Sequence, residues 1–440
     1  MVNLTLEQVE EMAPDAASAA AGKKLVGIKH WPELGRSSDA LWGKCQGSAV
    51  YQVKIDLSNL GYNCSCPSRK FPCKHVLGLL MLAVQSPAAV TETNSPDWVD
   101  DWLAKRRARD EKRGVAEKEP LVVASTGPVD QKAKEKRAEQ RGANVRDGLS
   151  RLDLWMKDLV RSGLAAVETQ PASLWDEQAK RLVDAQAPGL ASRVARLASI
   201  PRSSPDWVGR LLAELGRIQW LIHAHNRLDA LDPLLAGDIR QILGWNVSQA
   251  DLDQSGDVES DRWVVVGQWV DDDERVRAQR SWVVGRNTGR WGLLLQFSVG
   301  GQPFPESIVA GTEQAGRLMF YPGAARLRAK FAQREGAVTS LVDRPPGFDT
   351  IGDFLDHATA FLAKQPWLDA FGGVLRDATL VPADTWLLRD RTGHALPLRG
   401  SNHWKAVAIT GGHPCDLAFE WDGHCLRPLG LVIAGQYWSA

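Results

Sequence analysis

The chain has 440 residues, with 53 Lys and Arg against 53 Asp and Glu, so its formal net charge is zero. That length exceeds one ordinary core and implies two to four domains, while 44% hydrophobic and 24% charged residues place it among globular proteins. No apolar run approaches the roughly 20 residues that cross a bilayer, and six cysteines are too few for a disulfide framework.

The first residues, MVNLTLEQVEEMAPDAA, are acidic and lack a basic stretch before an apolar one. They predict no secretory signal and hence a cytoplasmic protein with no membrane attachment. Residues 4–22 read as a short helix and its exit. Residues 23–82 carry nine Lys and Arg against three acids, a basic segment in a neutral chain. Within it, SAVYQVKIDLS (48–58) alternates, with Tyr51, Val53, Ile55 and Leu57 on one face, as a half-buried strand does. HVLGLLMLAV (75–84) is a continuously apolar helix stopped by Ser86-Pro87.

Between strand and helix lies CSCPSRKFPCKH, which places Cys64, Cys66, Cys73 and His75 within twelve positions. Residues i and i+2 of extended backbone point to one side, so Cys64 and Cys66 can face the same ion. Cys73 and His75 approach from the start of the helix, whose free amides favour thiolate. Three thiolates and an imidazole complete a tetrahedral shell for Zn²⁺ and leave no position for substrate, which marks a structural metal. The alternative, chance clustering of buried cysteines, gives no reason for C-x-C beside C-x-H. Cys45, in LWGKCQGS, reads as a small core residue. Arg69, Lys70 and Lys74 flank the ligands as candidate contacts to a partner or to nucleic acid.

C-x-C, then C-x-H, then an apolar helix resembles the SWIM zinc finger. LWGKCQGS, CSCPSRKFPCKHVLGLL, RLVDAQAPGLA and FYPGAARLRA together resemble a bacterial family of SWIM-containing proteins. The resemblance implies that Cys64, Cys66, Cys73 and His75 are the ligands. It also implies a DNA-binding or protein-interaction role, in the setting of MoxR-type AAA ATPases and von Willebrand type A proteins.

Farther along, SPDWVDDWLAKRRARDEKR begins as a short helix anchored by Trp98 and Trp102 and turns strongly charged. Lys105 to Arg141 hold twelve basic and seven acidic residues, a composition that reads as a linker or a solvated helix. Residues 146–245 show helical spacing. Leu149, Leu152, Met156, Leu159 and Val160 form one stripe, and Pro188-Gly189 is a break. A long helix from Pro205 to Arg227 should hold Leu211, Leu212, Leu215, Ile218, Trp220, Leu221 and Ile222. From about 260 the period becomes two: RWVVVGQWV, RSWVVGRN and GRWGLLLQFSV read as strands, then a helix near 351–363. TWLLRD, ALPLRG, WKAVAIT, DLAFEW and HCLRPLGLVI follow as strand-like runs, the last two joined by Asp422-Gly423.

The expected architecture is α+β and multidomain. It comprises a SWIM zinc finger domain with a zinc-clipped strand–turn–helix (1–90), a charged linker with a short helix (91–145), an α-helical domain (146–250) and a β-rich C-terminal domain (251–440). His413, Cys415, His424 and Cys425 gather near the last hairpin, but adjacent strand residues point to opposite faces, so packing explains them better than a second zinc. His223 and His225 lie about 200° apart on a helix and cannot share a metal. Asp271, Asp272, Asp273 and Glu274 read as a solvated turn. No phosphate-binding, dinucleotide, metalloprotease or serine-hydrolase motif occurs. The sequence therefore predicts a non-enzymatic, zinc-binding adaptor with a protein partner. DNA binding is the alternative, and an enzyme with its site in the C-terminal half is the second alternative.

Overall fold

The computed structural model describes residues 3–116, 131–245, 256–272, 276–300 and 302–440, with side chains except at 109–116, 131–138 and 272. The first unit contains helices α1 (Leu6–Glu11) and α2 (Ala16–Lys23). Four strands follow, β1 (Glu33–Arg36), β2 (Ala40–Gln46), β3 (Val50–Asp56) and β4 (Gly61–Cys64), and then α3 (Lys74–Gln85). The strands form one antiparallel sheet in sequence order. On one face Leu41, Val53 and Ile55 pack with Val76, Leu77, Leu79, Leu80 and Met81 of α3 into a dry core. Alternation on β3 is thus realised as read, but the unit is larger than strand–turn–helix. β1, β2, β4 and a second N-terminal helix extend it. Helices α2 and α3 cross closely because Gly22 faces Leu77 and Gly78 faces Leu25, where an added Cβ would collide.

The other sheet face meets α4 (Asp97–Ala116). Its first turns place Val99 and Leu103 on Ala40 and Trp42, with Trp98 and Trp102 beside them. Lys54 reaches from β3 to the Trp98 carbonyl at 3.2 Å and lies over both indoles. The stretch expected as a linker therefore begins as a 20-residue helix stapled to the finger's back. Its central residues 117–130 fall outside the described residues.

Helices α5 (Gln131–Arg161), α6 (Ser173–Asp184), α7 (Pro188–Arg196), α8 (Trp207–His225) and α9 (Pro233–Leu243) form a bundle. Its core includes Leu149, Leu152, Met156, Leu211, Leu215, Ile218, Leu221 and Ile222. The boundary placed between 145 and 146 falls inside α5. Two of the seven apolar α8 residues point outward: Leu212 is 51% and Trp220 63% exposed.

The C-terminal half has two sheets. Strands β5 (Val258–Asp272), β6 (Val276–Gly285), β7 (Trp291–Val299), β8 (Thr312–Phe320) and β9 (Arg328–Ser340) close a barrel in the order β5-β6-β7-β9-β8. Neighbours are antiparallel except β7 and β9, a five-stranded Greek-key barrel. The acidic run after Val270 enters the β5–β6 connection, where 273–275 lie outside the described residues.

After α10 (Ile351–Leu362) comes a six-stranded sheet of β10 (Phe371–Val381), β11 (Leu387–Arg389), β12 (Ala395–Pro397), β13 (Cys415–Trp421), β14 (Leu426–Ile433) and β15 (Gln436–Ser439). Its order is β12-β11-β10-β13-β14-β15. One face packs on Phe354 of α10, the other on Val264, Val266, Trp282 and Val284 outside the barrel. WKAVAIT, expected as a strand, is instead helix α11 (Trp404–Thr410). Asn402 accepts the Trp404 amide at 3.2 Å, and Gly411 ends the turn at a left-handed φ of 61°. The Asn402 turn before the helix and the left-handed Gly411 after it outweigh the β preference of Val407 and Ile409.

Both smaller units are bolted to the C-terminal half. Gln8 of α1 donates to the Gly311 carbonyl at 2.7 Å, and the Ser340 hydroxyl donates to the Asn3 carbonyl at 2.8 Å. The bundle holds Trp367 in its core, with the indole donating to the Arg217 carbonyl at 2.9 Å. No described helix is long and apolar enough to cross a membrane.

Candidate metal centre

Strand β4 delivers Cys64, which stands in register with Val53 of β3. The strand direction persists one step further because the Ser65 amide donates to the Gln52 carbonyl at 3.0 Å and the Gln52 amide to Ser65 Oγ at 2.9 Å. Cys66 therefore stays on the same side as Cys64. The chain then loops out through exposed Arg69, Lys70 and Phe71 and returns at buried Pro72. Cys73 is the N-cap of α3 in extended conformation, and His75 sits in the first helical turn. Two elements that share one apolar core thus bring the four side chains together.

The three Sγ atoms and the His75 ring nitrogen all lie within 4.8 Å of one another. His75 Nδ1 is 3.8 Å from Cys64 Sγ and 4.0 Å from Cys73 Sγ. Metal bonds of about 2.3 Å to sulfur and about 2.0 Å to nitrogen give tetrahedral edges of about 3.6–3.8 Å, so the donor set fits Zn²⁺ with Nδ1 facing the ion. Cys73 and His75 are buried, Cys64 and Cys66 half-buried. The Tyr51 ring lies on the imidazole with centroids 4.8 Å apart and fixes its plane. That contact follows from the β3 face on which Tyr51 was placed, though pairing with His75 was not legible.

Crowded thiols cannot all ionise without a cation. Cys64, together with His75 and the Val76 amide, holds the Cys73 thiol below the ordinary thiol range, while Cys64 itself is pushed up. Zn²⁺ removes this conflict by accepting all three thiolates. Four protein donors converge, the number that a structural zinc site takes, where a catalytic one keeps a position open.

Lys74 and Arg69 are exposed beside the centre. Lys70 is exposed too, but its ammonium is 2.7 Å from Asp15, the N-cap of α2. Cys45 is fully buried in the finger core, opposite Tyr51, and burial raises its thiol. Among the described residues no second metal-ligating group forms. Cys415 is buried in the sheet core, His424 is exposed, and Cys425 donates to Asp422. His225 is buried in α8 whereas His223 is exposed and bonded to Gln219.

Residues 51–83 match the family model of the SWIM zinc finger, and residues 140–243 match that of the SWIM-associated four-helix bundle domain. The first span runs from β3 to α3 and contains all four donors; the second covers α5 to α9. No curated protein and no solved structure matches the chain. The chain thus carries a SWIM zinc finger and a SWIM-associated four-helix bundle domain, with the Cys₃His set of the finger gathered at one point.

Proposed function

We propose that this protein is a non-enzymatic adaptor whose zinc-stabilised finger docks a protein partner, with Cys64, Cys66, Cys73 and His75 as the four zinc ligands and Arg69 and Lys74 as contacts. The carrying observation is the closed donor shell on a unit bolted to a larger body. Such a centre shapes a surface and does no chemistry. The partner proposed from family resemblance is a MoxR-type AAA ATPase or a von Willebrand type A protein, in the cytoplasm.

Charge accounting favours protein over nucleic acid. Of the nine basic residues in 23–82, Lys23 pairs with Glu10, Arg36 with Glu92, Lys44 with Glu33 and Lys70 with Asp15. Lys54 is engaged by the Trp98 carbonyl. Lys24, Lys29, Arg69 and Lys74 are left, too few for strong phosphate affinity. Affinity purification from the native host with the zinc-loaded chain and with Arg69→Glu/Lys74→Glu tests this reading. A protein retained by the first and lost by the second supports it. Retention of nucleic acid in a salt-dependent manner, or purified protein without stoichiometric zinc, sinks it.

A further inference from the structure

The barrel closes through few rungs. Strand β7 pairs with β6 along its whole length, from Trp291 to Val299, but with β9 only at Leu293–Arg328 and Leu294–Ala329. Beyond that point β9 follows β8. Leu295–Val299 therefore has no strand partner on its second edge among the described residues. Exposed edges are ordinarily blunted by charge, proline or a bulge. From Trp291 to Val299 there is no charged residue and no proline, and its pairing with β6 has no register shift.

The faces of this half-strand are inverted for a barrel. Outward lie Phe297, 49% exposed, and Val299, 62% exposed, with Val276 of β6 opposite Val299 and 39% exposed. Inward lie Gln296 and Ser298, opposite Gln279 and Arg277. Gln279 is 5% exposed, and Gln296 Oε1 is buried with no hydrogen-bond partner. A buried unpaired carbonyl costs about 1–3 kcal/mol, and such local contradictions collect at functional sites.

We propose that the edge of β7 at Leu295–Val299, free of a neighbouring strand and engaged by the chain itself at the Val299 carbonyl, which accepts the Gln302 amide at 3.3 Å, is a docking site for an extended peptide segment of a protein partner, added as a further strand of the barrel. The segment carries apolar side chains at alternate positions, against Phe297 and Val299, and uncharged hydrogen-bonding side chains between them, toward Gln296. Main-chain hydrogen bonds supply the affinity and the alternating faces the selectivity. A second copy of the chain is the weaker occupant. Five residues per copy span about 17 Å, and so short a pair buries far less than the roughly 1,200 Å² of a stable interface.

The test presents the zinc-loaded full chain with a pool of seven-residue peptides, apolar at positions 1, 3, 5 and 7 and Thr, Asn or Gln at 2, 4 and 6. Enrichment is expected. It should weaken at least about tenfold when the same peptides carry N-methylated backbones, and about tenfold for Phe297→Lys/Val299→Lys, whose exposed positions leave the unfolding midpoint unchanged. Absence of enrichment, equal binding of N-methylated peptides, or equal binding by the double variant overturns the proposal. A concentration-dependent dimer abolished by the double variant assigns the edge to a second copy and also overturns it. The proposal shares the protein-partner reading above but leaves Arg69, Lys74 and the zinc ligands intact, so the two fail separately.

Discussion

The finger sheet and the barrel are similar in size, four strands against five, yet they are held together by different means. The barrel closes on itself and then buries Trp282 and Val284 against a second sheet. The finger's sheet packs one face on α3 and borrows α4 for the other, while its most important segment, Cys64 to Cys73, has almost nothing apolar to bury. Between those cysteines only Pro72 is buried, and Phe71 is 42% exposed. A segment without a core must be held by bonds, and here those bonds are to metal. The finger's loop is expected to depend on an ion, whereas the barrel draws on packing and on buried hydrogen bonds such as that of Trp282 to Glu420.

The sharpest way to break this comparison is to remove the ion. Chelation, Cys73→Ala or His75→Ala should free residues 61–75 and weaken the finger by several kcal/mol, short of the roughly 10–16 kcal/mol of isolated zinc-finger peptides. The shortfall arises because Val53, Ile55, Leu79 and Leu80 remain packed beneath. Hydrogen exchange should show protection lost at 61–75 first, later in β3, and not in β5 to β9. Equal exchange with and without chelator would mean that the loop is held by something other than zinc. Next in size, Trp282→Ala removes a fully buried indole and the 2.7 Å hydrogen bond it donates to Glu420. A loss of about 4 kcal/mol is expected, read by denaturant unfolding and unaffected by chelator. Sensitivity to chelator would show that the two regions do not unfold independently.

How much of this was readable in advance follows from range. The ligand quartet is a local pattern, and its spacing alone forces the sulfurs to one side of a strand end. The β5–β7 runs were equally legible because Val264–Val266 and Val283–Val284 are rich in β-branched residues. What escaped depends on partners far away in sequence. β2 looks like nothing special until Trp42 is covered by α4 and Gly43 by Trp31. β8 and β9 contain Gly316, Gly336 and several charged residues, and their ladder shifts register twice. Leu212 and Trp220 obey helical spacing, but spacing cannot say how wide the buried stripe is. Lys70 was grouped with Arg69 and Lys74 because its Asp15 partner lies 55 residues earlier.

A smaller effect probes the joint between bundle and barrel. Asp238 of α9 is buried and accepts the Ala324 amide at 2.7 Å; burial raises its carboxyl from 3.8 to about 6. The folded state thus binds a proton more tightly than the unfolded chain does. Stability falls as pH rises from about 4 through about 6 and is flat above, by on the order of 2 kcal/mol. Asp238→Asn should flatten this part of the profile, measured as the difference in unfolding midpoint between pH 5 and pH 7.5. If wild type and variant keep the same pH dependence, the carboxylate is not desolvated at the joint. Neither result should depend on zinc, which places the joint with the barrel and not with the finger.

The smallest effects come from a device that the two regions share. Helix α1 and helix α10 each begin with a reciprocal cap. Thr5 Oγ1 accepts the Gln8 amide at 3.2 Å while Gln8 Oε1 accepts the Thr5 amide at 2.9 Å. Thr350 Oγ1 and Asp353 do the same at 3.1 Å in both directions. Either threonine to alanine costs about 1 kcal/mol, a shift of about 4–8 °C in a unit of the finger's size and about 2–4 °C in the larger C-terminal half. The cost should register in different places. Gln8 is also held by Gly311 and Ser340, so after Thr5→Ala it keeps bridging finger and barrel, and the loss appears in the finger's transition. Thr350→Ala should move only the transition of the C-terminal half, with or without chelator. Two equal local losses then report on separate cooperative units, and a common shift for both variants would show instead that Gln8 couples the regions into one.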